Sequence, residues 1–167
     1  LPGAQYKLPP QQEKIDLRDT EPSFVCDKIL EQTSAKLSGA ILKTLQGVSP
    51  LLSRELAFRV CGDDKGVGDL SSCEKMNMLC EVSALKTMLC SNSPEPTMIL
   101  DESEKPLEFS FLPITQYGAG FRTIKKDNVF ALLEGFYSER DRLLRARSKG
   151  AELFKVLETA IERTSRK

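Results

Sequence analysis

The sequence predicts a mainly α-helical chain: a helix-hairpin-helix domain, a small β-hairpin and a long C-terminal coiled-coil helix. Three stretches carry that prediction. Residues 36–60, KLSGAILKTLQGVSPLLSRELAFRV, hold two apolar faces joined by a turn too short to be a linker. Residues 97–100 and 107–112 read as two short strands, the second alternating apolar and polar side chains. Residues 127–167 keep a heptad-like apolar pattern to the end of the sequence.

In chain order, residues 1–20 read as a linker, because LPGAQYKLPPQQEK has three prolines and no apolar period. Residues 21–95 form the helix-hairpin-helix domain. Pro22 opens its first helix, with Phe24, Val25 and Ile29 expected inward and Asp19 or Thr20 as cap. Leu37, Ile41 and Leu45 recur every four residues along the next helix, and Gly47 is expected to close it in a left-handed conformation. Ser49 and Pro50 then start a third helix as N-cap and first helical residue, with Leu52, Leu56 and Val60 on its apolar side. Residues 62–69, GDDKGVGD, read as a loop without the spacing or terminal glutamate of a calcium-binding EF-hand.

Ser71 and Glu74 form a capping box for a helix reaching about Leu89. Met78, Val82, Leu85 and Leu89 lie along one side, and Met76, Met78 and Met88 read as core filler. Residues 96–126 are expected to be a two-stranded β-hairpin and a connector. Leu107, Phe109 and Phe111 alternate with Glu108 and Ser110, while Tyr117 and Phe121 anchor the connector. Residues 127–167 are expected to be the first arm of a coiled coil. The frame runs through Val129, Leu133, Phe136, Arg140, Leu143, Arg147, Gly150, Phe154, Leu157 and Ile161. Such a helix spans roughly 60 Å and leaves its apolar stripe in need of a partner, which allows self-association.

Lysines plus arginines and aspartates plus glutamates each number 24, so overall charge does not point to nucleic acid. Its distribution is uneven: residues 1–121 carry a net −5 and residues 122–167 a net +5. Five cysteines without C-x-x-C, and no histidine, argue against a disulfide framework and a Cys/His zinc site. No metal or cofactor is expected, and the simplest compartment is a reduced cytoplasm. The sequence holds no P-loop and no G-x-S-x-G, so an enzyme is not expected. No apolar run approaches the ~20 residues of a membrane helix, and no signal peptide is visible. The chain begins without Met in the middle of a linker, which suggests a piece of a larger protein.

Two groups of residues have binding chemistry. A Gly-hydrophobic-Gly turn ahead of a helix aims backbone N–H groups and a positive dipole end outward, where a phosphate can sit. Gly47, Val48 and Ser49 occupy that place here, with Arg54 and Lys43 as flanking cations, although Ser49 replaces the second glycine. An ordinary helical turn closing a core explains the same pattern. In the final helix, SERDRLLRARSK carries Arg140, Arg142, Arg145, Arg147 and Lys149 against two carboxylates. That stretch reads either as a phosphate-contacting patch or as a solvated face with Asp141 and Arg145 paired at i,i+4.

These residues together resemble the NFACT family. The resemblance rests on Tyr6-x-x-Pro9-Pro10-x-Gln12-x-Lys14, the stretch Gly47 to Leu56, Pro113-x-x-Gln116-Tyr117-Gly118, and Phe136-Tyr137 with Glu139-Arg140-Asp141-Arg142-Leu143. It covers nearly the whole chain in the family's order. It implies a cytosolic RNA-binding protein that holds alanyl-tRNA or another tRNA on an obstructed large ribosomal subunit and directs C-terminal tailing of the stalled peptide. It also implies that this chain holds the helix-hairpin-helix domain and the rising coil arm. The family's tRNA-contacting Asp-Arg pair belongs to its N-terminal domain; Asp141-Arg142 is not that pair. Two other classes stay open: a fibronectin-binding surface adhesin, as an older family name suggests, and a scaffold meeting only protein through its coil.

Overall fold

The computed structural model describes residues 13–165. The opening motif residues Tyr6, Pro9, Pro10 and Gln12, and most of the expected linker, lie outside the described residues. The chain divides into two compact units, residues 1–93 and 94–167.

The first unit holds four α-helices among its described residues: α1 (Pro22–Leu30), α2 (Leu37–Thr44), α3 (Pro50–Cys61) and α4 (Ser72–Ser91). α3 packs against both α2 and α4, and α1 packs on α2 and α4. Their shared core is built from Val25, Ile29, Leu37, Ile41, Leu52, Leu56, Val60, Met78, Val82 and Leu85, all buried. Each such side chain contributes about 1.5–3 kcal/mol on leaving water, so the i,i+4 apolar pairs read in the sequence drive this packing. α3 is buried on most sides: Leu51, Ser53, Glu55 and Ala57 are covered as well. Glu55, wholly buried, is held by Arg59 one turn later at 2.8 Å.

Local chemistry sets the helix boundaries. Ser49 is extended, and its Oγ accepts from the Leu52 N–H at 3.2 Å. Pro50 follows it in the first helical position, where a missing N–H costs nothing. Gly62 ends α3 at φ +73°. The Ser71–Glu74 capping box is fully formed, the Ser71 N–H donating to Glu74 at 2.8 Å. Glu74 also takes a hydrogen bond from Lys65, which, together with Ser71, holds its carboxyl down at about 2.

Six particulars differ from the sequence reading. Ile15 and Leu17 are tied into this unit: Ile15 bridges Leu45, its N–H donating to the Thr44 carbonyl at 2.8 Å, and Leu17 is buried. That pairing draws Leu45 out of α2 into an extended conformation, so the helix stops at Thr44. Gly47 does have a left-handed φ of +74°, but in the turn beyond rather than as the helix cap. The cap of α1 is Glu21, without a side-chain hydrogen bond, and Phe24 is half exposed beside Lys28. Met76 is exposed and fills no core.

The loop at 62–69 has a structural role. Asp64 accepts from the Ser38 N–H at 2.9 Å and from the Ser38 hydroxyl at 2.8 Å, capping the start of α2 from a distant segment. Leu37 N–H donates to the Lys65 carbonyl at 2.9 Å and Val67 N–H to Ala35 at the same distance, clamping the loop down. Among the described residues no acidic, histidine or cysteine cluster suits a metal ion.

The second unit contains β1 (Thr97–Leu100), β2 (Pro106–Ser110), β3 (Arg122–Lys125) and α5 (Val129–Ser165). The sheet is antiparallel and three-stranded in the order β2-β1-β3, with Met98 opposite both Phe109 and Ile124. β3 lies where the sequence predicts a connector, so the two-stranded expectation is corrected. A lone hairpin is marginal in water, and the added strand gives central β1 partners on both edges. β3 escapes the sequence reading because only Ile124 of its four residues is half buried.

Asn128 caps α5, its Oδ1 accepting from the Ala131 N–H at 2.8 Å. Leu132 and Phe136 then pack on Met98, Leu100, Phe109 and Ile124. The sheet thus selects Leu132, whereas the heptad frame runs through Leu133. Beyond Phe136 no described side chain of α5 is buried. The helix is continuous over 37 residues, and among the described residues no helix is long and apolar enough to cross a membrane.

Candidate nucleic-acid interface

The turn between α2 and α3 places the first group of predicted residues at the surface. The Gln46 N–H is bound to the Ile15 carbonyl at 2.9 Å, which anchors the entry to the turn. Gly47 then reverses the chain, and a Cβ built there meets nothing within 4 Å. Steric room is therefore not what demands glycine; the positive φ is. Gly47 and Ser49 are exposed and Val48 is half buried. The turn presents the N-terminal end of a 12-residue helix whose dipole favours an anion.

Lys43 sits in the last turn of α2, and Arg54 follows Pro50 by four residues, on the same side of α3. Both side chains are exposed, and neither makes an ion pair with a described residue. Arg59, by contrast, is engaged by Glu55 and lies 3.6 Å from Glu81.

In the second unit Arg140, Arg142, Arg145, Arg147 and Lys149 are all exposed along α5, on two flanks. Arg142, Arg145 and Lys149 line a shallow hollow with Ser138 and Asp141. Arg140 and Arg147 instead face a groove beside β2. The ion pair that forms is Arg142 with Glu139, the Nε donating at 2.9 Å; Asp141 and Arg145 do not pair. That contact lowers the Glu139 carboxyl and raises the Arg142 guanidinium. Four of the five cations are thus unpaired with described residues.

Sequence reasoning missed Lys105, which lines the same groove as Arg140 and Arg147, and the aromatic floor of Phe109, Phe136 and Tyr137. The Phe136-Tyr137 dipeptide was visible, but not the strand that meets it. All five cysteines are free, and burial pushes the Cys26 thiol up to about 11.

The chain matches the family model described as NFACT N-terminal and middle domains over residues 1–167, and it belongs to the NFACT family. No curated protein matches the chain.

Proposed function

We propose that this chain is part of a ribosome quality-control factor that binds tRNA and the obstructed large ribosomal subunit and promotes C-terminal tailing of stalled nascent chains. The family match over residues 1–167 carries the reading. The turn supports it: Gly47, Val48 and Ser49 offer backbone N–H groups to an RNA phosphate, with Lys43 and Arg54 supplying charge. Arg142, Arg145 and Lys149 add a second phosphate-contacting row along α5. In this reading the chain performs no chemistry; it is a cytoplasmic RNA holder, without cofactor or metal.

Filter binding of the 167-residue chain to tRNA and to fibronectin, each at two salt concentrations, tests it. The expected result is tRNA retention that weakens steeply as salt rises, and no retention of fibronectin. Fibronectin binding without tRNA binding would replace the reading with the adhesin. Binding of neither would leave the protein-only scaffold.

A further inference from the structure

Within the second unit, the outer edge of β2 and one flank of α5 enclose a groove of about 840 Å³. Its floor is aromatic. Phe109 meets Phe136 edge-on with centroids 4.8 Å apart and Tyr137 at 6.1 Å. Tyr137 lines the groove and is half exposed, although it has aromatic neighbours enough to be covered. Around this floor stand Lys105, Arg140 and Arg147, exposed and unpaired with any described residue. Arg140 and Arg147 are two helical turns apart, roughly 10 Å along the axis.

Two carboxylates also line the groove, leaving the three cations in excess by one. Asp101 is occupied by the turn it closes, accepting from the N–H groups of Ser103 at 2.8 Å and Lys105 at 2.9 Å. Glu108 pairs with Ile99, one step out of phase with the Met98–Phe109 pair that faces α5. The alternation of a strand therefore sets it on the face of β2 opposite Phe109, at the rim of the groove rather than on its aromatic floor. The edge is also a poor template for an added peptide strand. Pro106 begins it without an N–H.

An exposed aromatic ring set among uncommitted cations is the combination that binds single-stranded nucleic acid, the ring stacking a base and the cations following the backbone. We infer that this groove holds a single-stranded RNA segment, with a base on Tyr137 and phosphates against Lys105, Arg140 and Arg147. The inference rests on the RNA-binding reading above and adds a second, chemically distinct site.

The test uses the 167-residue chain and fluorescence anisotropy of a labelled oligouridylate of about eight nucleotides, within the usual size of such sites. Unlabelled oligouridylate, an RNA duplex of equal length and a peptide of alternating Glu and Leu serve as competitors. Only the single strand should displace the probe. Tyr137→Ala should weaken binding about tenfold and Tyr137→Phe should restore it, since stacking needs the ring and not the hydroxyl. Arg140→Gln and Arg147→Gln, on exposed side chains that leave the fold alone, should each lower the salt slope by about 0.7. Unchanged affinity in the Tyr137→Ala and Arg147→Gln variants, or displacement by the acidic peptide, would overturn the inference. An effect of Arg54→Ala on tRNA with none of Tyr137→Ala on oligouridylate removes the groove alone; the opposite pattern removes the turn and leaves the groove standing.

Discussion

Replacing Gly47 by alanine isolates a backbone effect. Gly47 has φ +74°, and a Cβ at that position has no atom within 4 Å. The only penalty is the left-handed conformation itself, about 1–2 kcal/mol for a residue with a Cβ. Gly62 is a matched control, with φ +73° and equally open space at the far end of α3. Both substitutions should therefore destabilise the chain by similar amounts. With a urea m-value of about 2 kcal/mol/M, each lowers the unfolding midpoint by roughly 0.5–1 M at unchanged m. RNA affinity, measured well below that midpoint, should fall for Gly47→Ala alone. A midpoint for Gly47→Ala equal to that of the unaltered chain would refute the reasoning. So would a loss above about 3 kcal/mol, which would require a clash that the open space does not provide.

Four further outcomes follow from the packing and charge. Glu74, lowered to about 2 from its ordinary 4.5 by Lys65 and Ser71, binds its proton less readily folded than unfolded. Its stabilising contribution is whole above about pH 4.5 and lost as pH falls towards 2; acid titration of Glu74→Gln should show a shallower loss across that window. Phe136→Ala, which empties the contact with Phe109 under the sheet, should cost about 3–5 kcal/mol in chemical unfolding. Phe130→Ala, 85% exposed, should stay within about 0.5 kcal/mol of the parent. Phe154, Leu157 and Ile161 are 71%, 56% and 64% exposed, so α5 should self-associate or fray beyond about Gly150. Sedimentation of the chain with and without Phe154→Asp plus Leu157→Asp checks this; a monomer protected from hydrogen exchange out to Ile161 would contradict it.

Where a structural decision is local, the sequence shows it. Ser71 with Glu74, and Ser49 with Pro50, are capping signals complete within four residues, and the folded chain uses both. The positive φ of Gly47 is legible for the same reason. Decisions made by distant partners are not legible. α2 stops early because Ile15 captures Leu45, and it is capped by Asp64 from 26 residues away. Adjacent Leu132 and Leu133 satisfy an apolar period equally well; only the sheet's position chooses Leu132. β3 carries Arg122, Thr123 and Lys125 on an exposed edge, so its alternation lacks the apolar half that marks a strand. The candidate turn could be read from residues 43–54, whereas the aromatic groove needed Phe109 and Tyr137 brought together from separate elements.

The most direct test of the RNA-binding account is tRNA affinity of the unaltered chain and of Arg54→Ala across a series of salt concentrations. Arg54 is exposed, unpaired with any described residue and outside the core, so its removal leaves the fold intact. The account predicts weaker binding by Arg54→Ala and a salt slope smaller by about one, the loss of a single phosphate contact. Equal affinity and equal slope in the two proteins would contradict it.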